Sequence, residues 1–475
     1  MLIRDAHIHR HGIGDLRIDG GIVAAVGQLI PRPGEAVVEA RGGALLPGLH
    51  DHHIHLSALA VRAASVDCGP PAIRDRDDLA RALSHPGTGW LRGFGLCESV
   101  LDGELPDAAA LDRIVPDRPV RLQHRTGRMW LLNSAALDAL LASSTAPPGL
   151  ERIGGRFTGR LFDEDAWLQD ALAAAPPGLA AISRDLARFG LTGVTDMSPR
   201  NDPVIARHFA REISAGQLAQ RLVVAGALSL ADAPCNGGQL GPAKLHLHEA
   251  ALPDFDAASA WVAQAHAQGR GVAVHCVTEV ELVFTLALFE TAGARRGDRI
   301  EHASIVPADL AARMAALDLH ACVQPHFVHQ NGDRYLRDVE PHHHQNLYRL
   351  ASLRRAGIPL AGGSDAPYGS GDPWQAIRAA VLRSTRAGTP FTPDEALSPE
   401  DALALYLADP LDLSRQRQVA VGEAADLCLL TRPWHEARER LSSADVRLTL
   451  VSGRIVHQNV DEPPFERLAR CQAPA

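Results

Sequence analysis

Two histidines one residue apart, His53 and His55, close an apolar run that begins Leu45-Leu46-Pro47-Gly48. Alternate residues of a strand point the same way, so both imidazoles face one side and can share a divalent cation. Other residues of metal-binding type close apolar runs of their own: His275 in GVAVHC, His302 in RIEH and Asp365 in LAGGSD. Histidines that only serve a core would be scattered over both ends of such runs, so gathering at one end points to a common site. His246 and His248 form a second HxH, while the run His342-His343-His344 reads as a solvated loop.

Among 47 basic residues a single one is lysine, Lys244, and it opens the run KLHLHE. An ammonium group would repel cations. A buried neutral amine instead reacts with carbon dioxide to give a carbamate, an anion able to bridge two metals; arginine cannot follow, because its guanidinium stays charged.

These groups need a scaffold that brings many strand ends together. Short apolar runs alternate with Ala- and Leu-rich helical stretches, the pattern of repeated βα units and a parallel sheet. Eight runs fit the rhythm: PGLHDHHIHL, TGVTDM, RLVVAGAL, KLHLHE, GVAVHC, RIEHA, ACVQPH and PLAGGSDAP. They predict an α/β fold, a (β/α)8 TIM barrel over residues 47–415 with its site at the strands' C-terminal ends. Two further runs, WLRGFGL (90–96) and VRLQH (120–124), break the rhythm and are assigned to an insertion of about 68–180 after the first strand. Residues 1–46 and 416–460 carry short strands with Asp-Gly and Gly-Gly turns, and are expected to form one small β-sandwich from both chain ends. Residues 461–475 read as a loosely ordered tail.

The chain resembles the amidohydrolase superfamily and, within it, the branch known as amidohydrolase family 3. The likeness runs over nearly the whole length, through PGLHDHHIH, Asn133-Ser134-Ala135-Ala136-Leu137, GLTGVTDM, RIEHASI, VQPHF, GGSDAPYGSGDPW, GEAADLCLL and VRLTLVSGRIVH. The resemblance implies that His53 and His55 hold the more buried metal, carboxylated Lys244 bridges, and His275 and His302 hold the second ion. It makes Asp365 both ligand and proton shuttle. One or two divalent ions, zinc foremost, are the implied cofactor; such an ion lowers the pKa of its water to about 7 and polarises a carbonyl.

The expected reaction is hydrolysis of a non-peptide C–N bond in an amide, N-formyl, N-acyl or cyclic amide compound, with Arg128, His248 and His326 gripping the substrate. The branch usually has aspartate four residues beyond the lysine, where this chain has His248. It often has a Gly-His pair where this chain has Gly127-Arg128, and Gly-Asp where this chain has Thr278-Glu279. No family substrate therefore carries over. The alternative within the superfamily is a mononuclear heterocycle deaminase, which would want glutamate at position 278. A non-catalytic relative would be expected to have lost ligands, and none of the six is missing.

Composition bounds the rest. The net charge of −9 is spread along the chain, which argues against nucleic acid as a partner. Seven scattered cysteines (68, 97, 235, 276, 322, 428 and 471) lack CxxC spacing and read as reduced thiols. With no apolar leader or membrane-length run, the expectation is a cytoplasmic enzyme for a small molecule, a homodimer remaining open.

Overall fold

The computed structural model describes residues 1–70, 72–84, 87–101, 103–172, 176–232 and 236–459. Cys235, Cys471 and the expected tail lie outside these residues. Cys68, Cys97, Cys276, Cys322 and Cys428 are buried free thiols.

Eight parallel strands, taken in chain order, form the central sheet: Leu49–Ile54, Leu191–Asp196, Arg221–Gly226, Gly238–His246, Val272–Cys276, Arg299–His302, His320–Val323 and Leu360–Gly362. The fold is a nearly closed (β/α)8 barrel. Its first and last strands meet just beyond their paired segments, where Asp365 N–H donates to His53 O at 2.7 Å and His55 N–H to Ala366 O at 2.9 Å. Most strand residues are buried on both faces, as expected where side chains fill the inside and helices cover the outside.

The fourth strand differs from its expected extent. Lys244 does not open it: the strand begins at Gly238, which puts Lys244 near its C-terminal end, and His248 lies beyond it. Gly238, Gly241 and Pro242 hid the first half from pattern reading. The ladder tolerates them because its register shifts between Val224 and Gly226, at the level of Pro242.

The chain ends share one eight-stranded sheet. Ala44–Pro47 pairs in parallel with Leu2–Ile8 and antiparallel with Leu427–Leu430, which continues to Val446–Val451 and Arg454–Gln458. The sandwich expected from the two ends is, in its strand pairing, this continuous sheet. Ile3, Ile8 and Leu16 share its core with Leu427, Leu429 and Leu450.

Residues Ser57–Pro177 form a second compact unit. Its six-stranded sheet includes Leu91–Leu96 and Val120–His124, the two runs that fit the barrel rhythm poorly. Asn133 caps the helix Ser134–Leu141 by accepting from Ala136 N–H, and its amide group donates to Val115 O and Arg118 O. Among the described residues no helix is long and apolar enough to cross a membrane.

Candidate metal centre

The first strand ends His52-His53-Ile54 with His55 directly after it, and alternation sends His53 and His55 to the barrel axis. There His53 Nε2 lies 3.4 Å and His55 Nε2 3.0 Å from Asp365 Oδ1. His302 follows, its ring centroid 4.8 Å from that of His53 and 4.5 Å from that of His275. The five residues expected at the site are thus brought together as neighbours.

Two bends in the backbone make this convergence possible. His302 and Asp365 have φ of +69° and +52°, a left-handed region that non-glycine residues enter at a cost of roughly 1–3 kcal/mol each. Around Asp365, the bond to His53 O and one from Tyr368 N–H to Asp365 O hold the turn. At His302 the bend breaks strand alternation, so consecutive side chains both reach His53. Glu301 Oε2 lies 2.5 Å from His53 Nδ1 while His302 packs on the same ring.

Glu301 was not among the expected site residues, because alternation would turn it away whenever His302 faces in. Its other oxygen accepts from Arg299 Nε, whose guanidinium also donates to His52 O. A carboxylate on Nδ1 fixes which nitrogen of His53 offers its lone pair. Gln324 Oε1, an acceptor 2.8 Å from His302 Nδ1, serves His302 in the same way, and Ser198 Oγ lies 3.0 Å from His55 Nδ1. Cys322 packs against the pair, its Sγ within 4.8 Å of ligand atoms of His53 and Glu301.

Burial disfavours cationic imidazoles here. It pushes His53 down to about 3, although Glu301 pulls the other way, and also lowers His275 and His302, favouring their neutral forms. Burial alone would raise Asp365, but the hydrogen bond from His55 holds it below the usual carboxylate range. Lys244 is 4 % exposed, and its Nζ has no hydrogen-bond partner among the described residues. Burial lowers its pKa, with Glu301 opposing. An unpartnered buried amine beside neutral imidazoles and a carboxylate is a donor set that suits a divalent ion.

The residues expected to grip a substrate are placed differently. His248 is exposed, just past the fourth strand. His326 is 1 % exposed, with Nε2 3.0 Å from Ser364 O, next to Asp365 in the chain. Arg128 belongs to the Ser57–Pro177 unit, where Asp163 engages its guanidinium through two bonds of 2.7 and 2.8 Å. His246 and Tyr368 were passed over. The first lies 4.3 Å from His275 and the second 5.7 Å from His55, ring to ring, and both are exposed. For His246 the second HxH was the available signal.

A model described as the amidohydrolase family matches residues 36–457. The chain belongs to the amidohydrolase family. As an amidohydrolase it is an enzyme, a hydrolase, and similar proteins span its length. The putative amidohydrolase YtcJ of Bacillus subtilis is 26 % identical, with 89 % of this chain and 90 % of that protein covered. An N-substituted formamide deformylase of Arthrobacter pascens is also 26 % identical, over 92 % of this chain and 93 % of its own. Among solved structures, an uncharacterized metal-dependent hydrolase from Pyrococcus horikoshii superposes with a TM-score of 0.77 at 21 % identity, covering 91 % of this chain and 97 % of that one.

Proposed function

We propose that this amidohydrolase cleaves a non-peptide C–N bond, in an amide, N-formyl, N-acyl or cyclic amide, at a site for one or two divalent ions. His53, His55, Lys244, His275, His302 and Asp365 would hold the ions, with Lys244 as the bridging carbamate and zinc as the first candidate. The observation that carries this reading is the meeting of neutral imidazoles, a carboxylate and an unpartnered buried lysine at the C-terminal ends of barrel strands. The formamide-cleaving relative supports the C–N assignment.

When bound, such an ion acidifies a water from pKa 15.7 to about 7 and polarises a carbonyl. The chain supplies the remaining parts. Asp365 Oδ1, ionised and held by His55, accepts a proton as water adds to the carbonyl carbon and returns it to the leaving nitrogen. Glu301 and Gln324 keep the imidazoles of His53 and His302 in fixed tautomers, so their lone pairs are set before substrate arrives.

The deaminase alternative finds no carboxylate at position 278, where the Thr278 hydroxyl caps the helix Glu279–Ala292. The test is metal content per chain, together with a hydrolysis screen of N-formyl, N-acyl and cyclic amides using wild type and Asp365→Asn. Bound metal, and turnover in the wild type that falls at least about 100-fold in the variant, is the expected result. A metal-free protein inert to every such compound would refute the reading.

A further inference from the structure

We propose that the recess between the ends of the fourth and fifth barrel strands holds the non-reacting part of the substrate, that it selects an uncharged apolar group, and that Val277 sets this preference. The proposal deepens the hydrolase reading above and rests on it for the reacting bond.

The recess is an open hollow of about 690 Å³, lined by His246, Leu247, Ala250, His275 and Val277 among others. His275 belongs both to this wall and to the ring cluster of the metal centre, so a molecule reacting at the centre extends naturally into the recess. The wall is also built to stay in place. The buried carboxylate of Glu281 accepts Val277 N–H at 2.7 Å and Thr278 N–H at 3.1 Å from one loop, and Glu249 N–H at 3.0 Å from the other. One side chain thereby clasps both loops, which limits the ordering that a substrate must impose on them.

Charge decides what fits. Among the described residues the wall has no lysine or arginine, while Glu249 and Glu281 bring two carboxylates to it. A substrate carboxylate would give up hydration, find no fixed cation and meet like charges. An alkyl or aryl group would instead cover Leu247, Ala250 and Val277 and remove apolar surface from water. Val277 is 38 % exposed, and its backbone N–H makes the Glu281 bond, so its side chain can be changed without undoing the clasp.

The test compares acetanilide with para-acetamidobenzoate, which differ by one carboxylate, by calorimetry on the metal-free full chain so that metal coordination plays no part. The wild type is expected to bind acetanilide at least about tenfold more tightly. Val277→Arg should shift that ratio toward the carboxylate by at least about tenfold, and Val277→Ala should leave its direction unchanged. Ala250→Arg, on the facing exposed loop, gives the same shift if Val277→Arg does not fold. Equal or tighter carboxylate binding by the wild type, no binding of either compound, or an unaltered ratio in the arginine variants would overturn the proposal. Metal-loaded protein that turns over no C–N compound while the binding preference holds would count against the hydrolase reading alone.

Discussion

At the scale of single residues, the site is governed by what burial does to titratable groups. Lys244 is the sharpest case, because it is buried without a hydrogen-bond partner among the described residues and burial disfavours its ammonium form. Lys244→Gln keeps a similar length without a charge, whereas arginine would force a permanent cation into the same space. The glutamine variant is expected to fold, to lose at least one metal equivalent per chain and to lose about 100-fold or more in turnover, since two close ions need an anion between them. Metal analysis beside a melting curve checks this; unchanged metal and turnover would make Lys244 structural.

His326 offers a test of linkage. Burial holds its folded pKa at about 4, below the ordinary 6.5. Between those values the unfolded chain binds a proton that the folded chain refuses, so stability is complete above pH 6.5 and declines as pH falls toward 4. The shift corresponds to an effect on the order of 3 kcal/mol. His326→Gln should therefore lose less stability than wild type between pH 7 and pH 4.5 in urea titrations of the metal-free protein. An equal loss would show that His326 is not a source of the acid sensitivity.

At the scale of strands and helices, short connections set the chemistry. The helix Glu279–Ala292 starts with a capping box in which Thr278 Oγ1 accepts Glu281 N–H, while Glu281 also binds the loop of the fourth strand. Thr278→Ala should cost about 1 kcal/mol, read as a lower urea midpoint with an unchanged slope. No change in midpoint would mean that Glu281 alone holds the start of the helix. The pattern at Thr278-Glu279-Val280-Glu281 permits such a cap, because S/T-x-x-E is its local signature. That the same glutamate reaches Glu249 N–H could not be read there, since the contact spans 32 positions.

At the scale of the molecule, the sheet made from both chain ends ties residues 2–47 to residues 427–458. We propose that these ends fold as one unit, because Leu427–Leu430 is the strand that completes the pairing of Ala44–Pro47. A chain ended at residue 415 should be insoluble or melt far below wild type, as Ile3, Ile8 and Leu16 would lose their core partners. A truncated chain with an unchanged melting temperature would disprove it. Sequence alone determined the order of the eight barrel strands and singled out His53, His55, Lys244, His275, His302 and Asp365 as candidate ligands. Most of the strands contain a short apolar run, and metal-binding types at run ends are uncommon enough to stand out. Tertiary structure decided what depends on contacts between distant positions or on a bend within one residue. The left-handed turn at His302 put Glu301 on His53, burial set His326 against Ser364 O, and Glu281 tied together the two loops of the recess beside His275. Periodicity assumes regular strands and equal exposure along a face, and each of these features is a departure from one or the other.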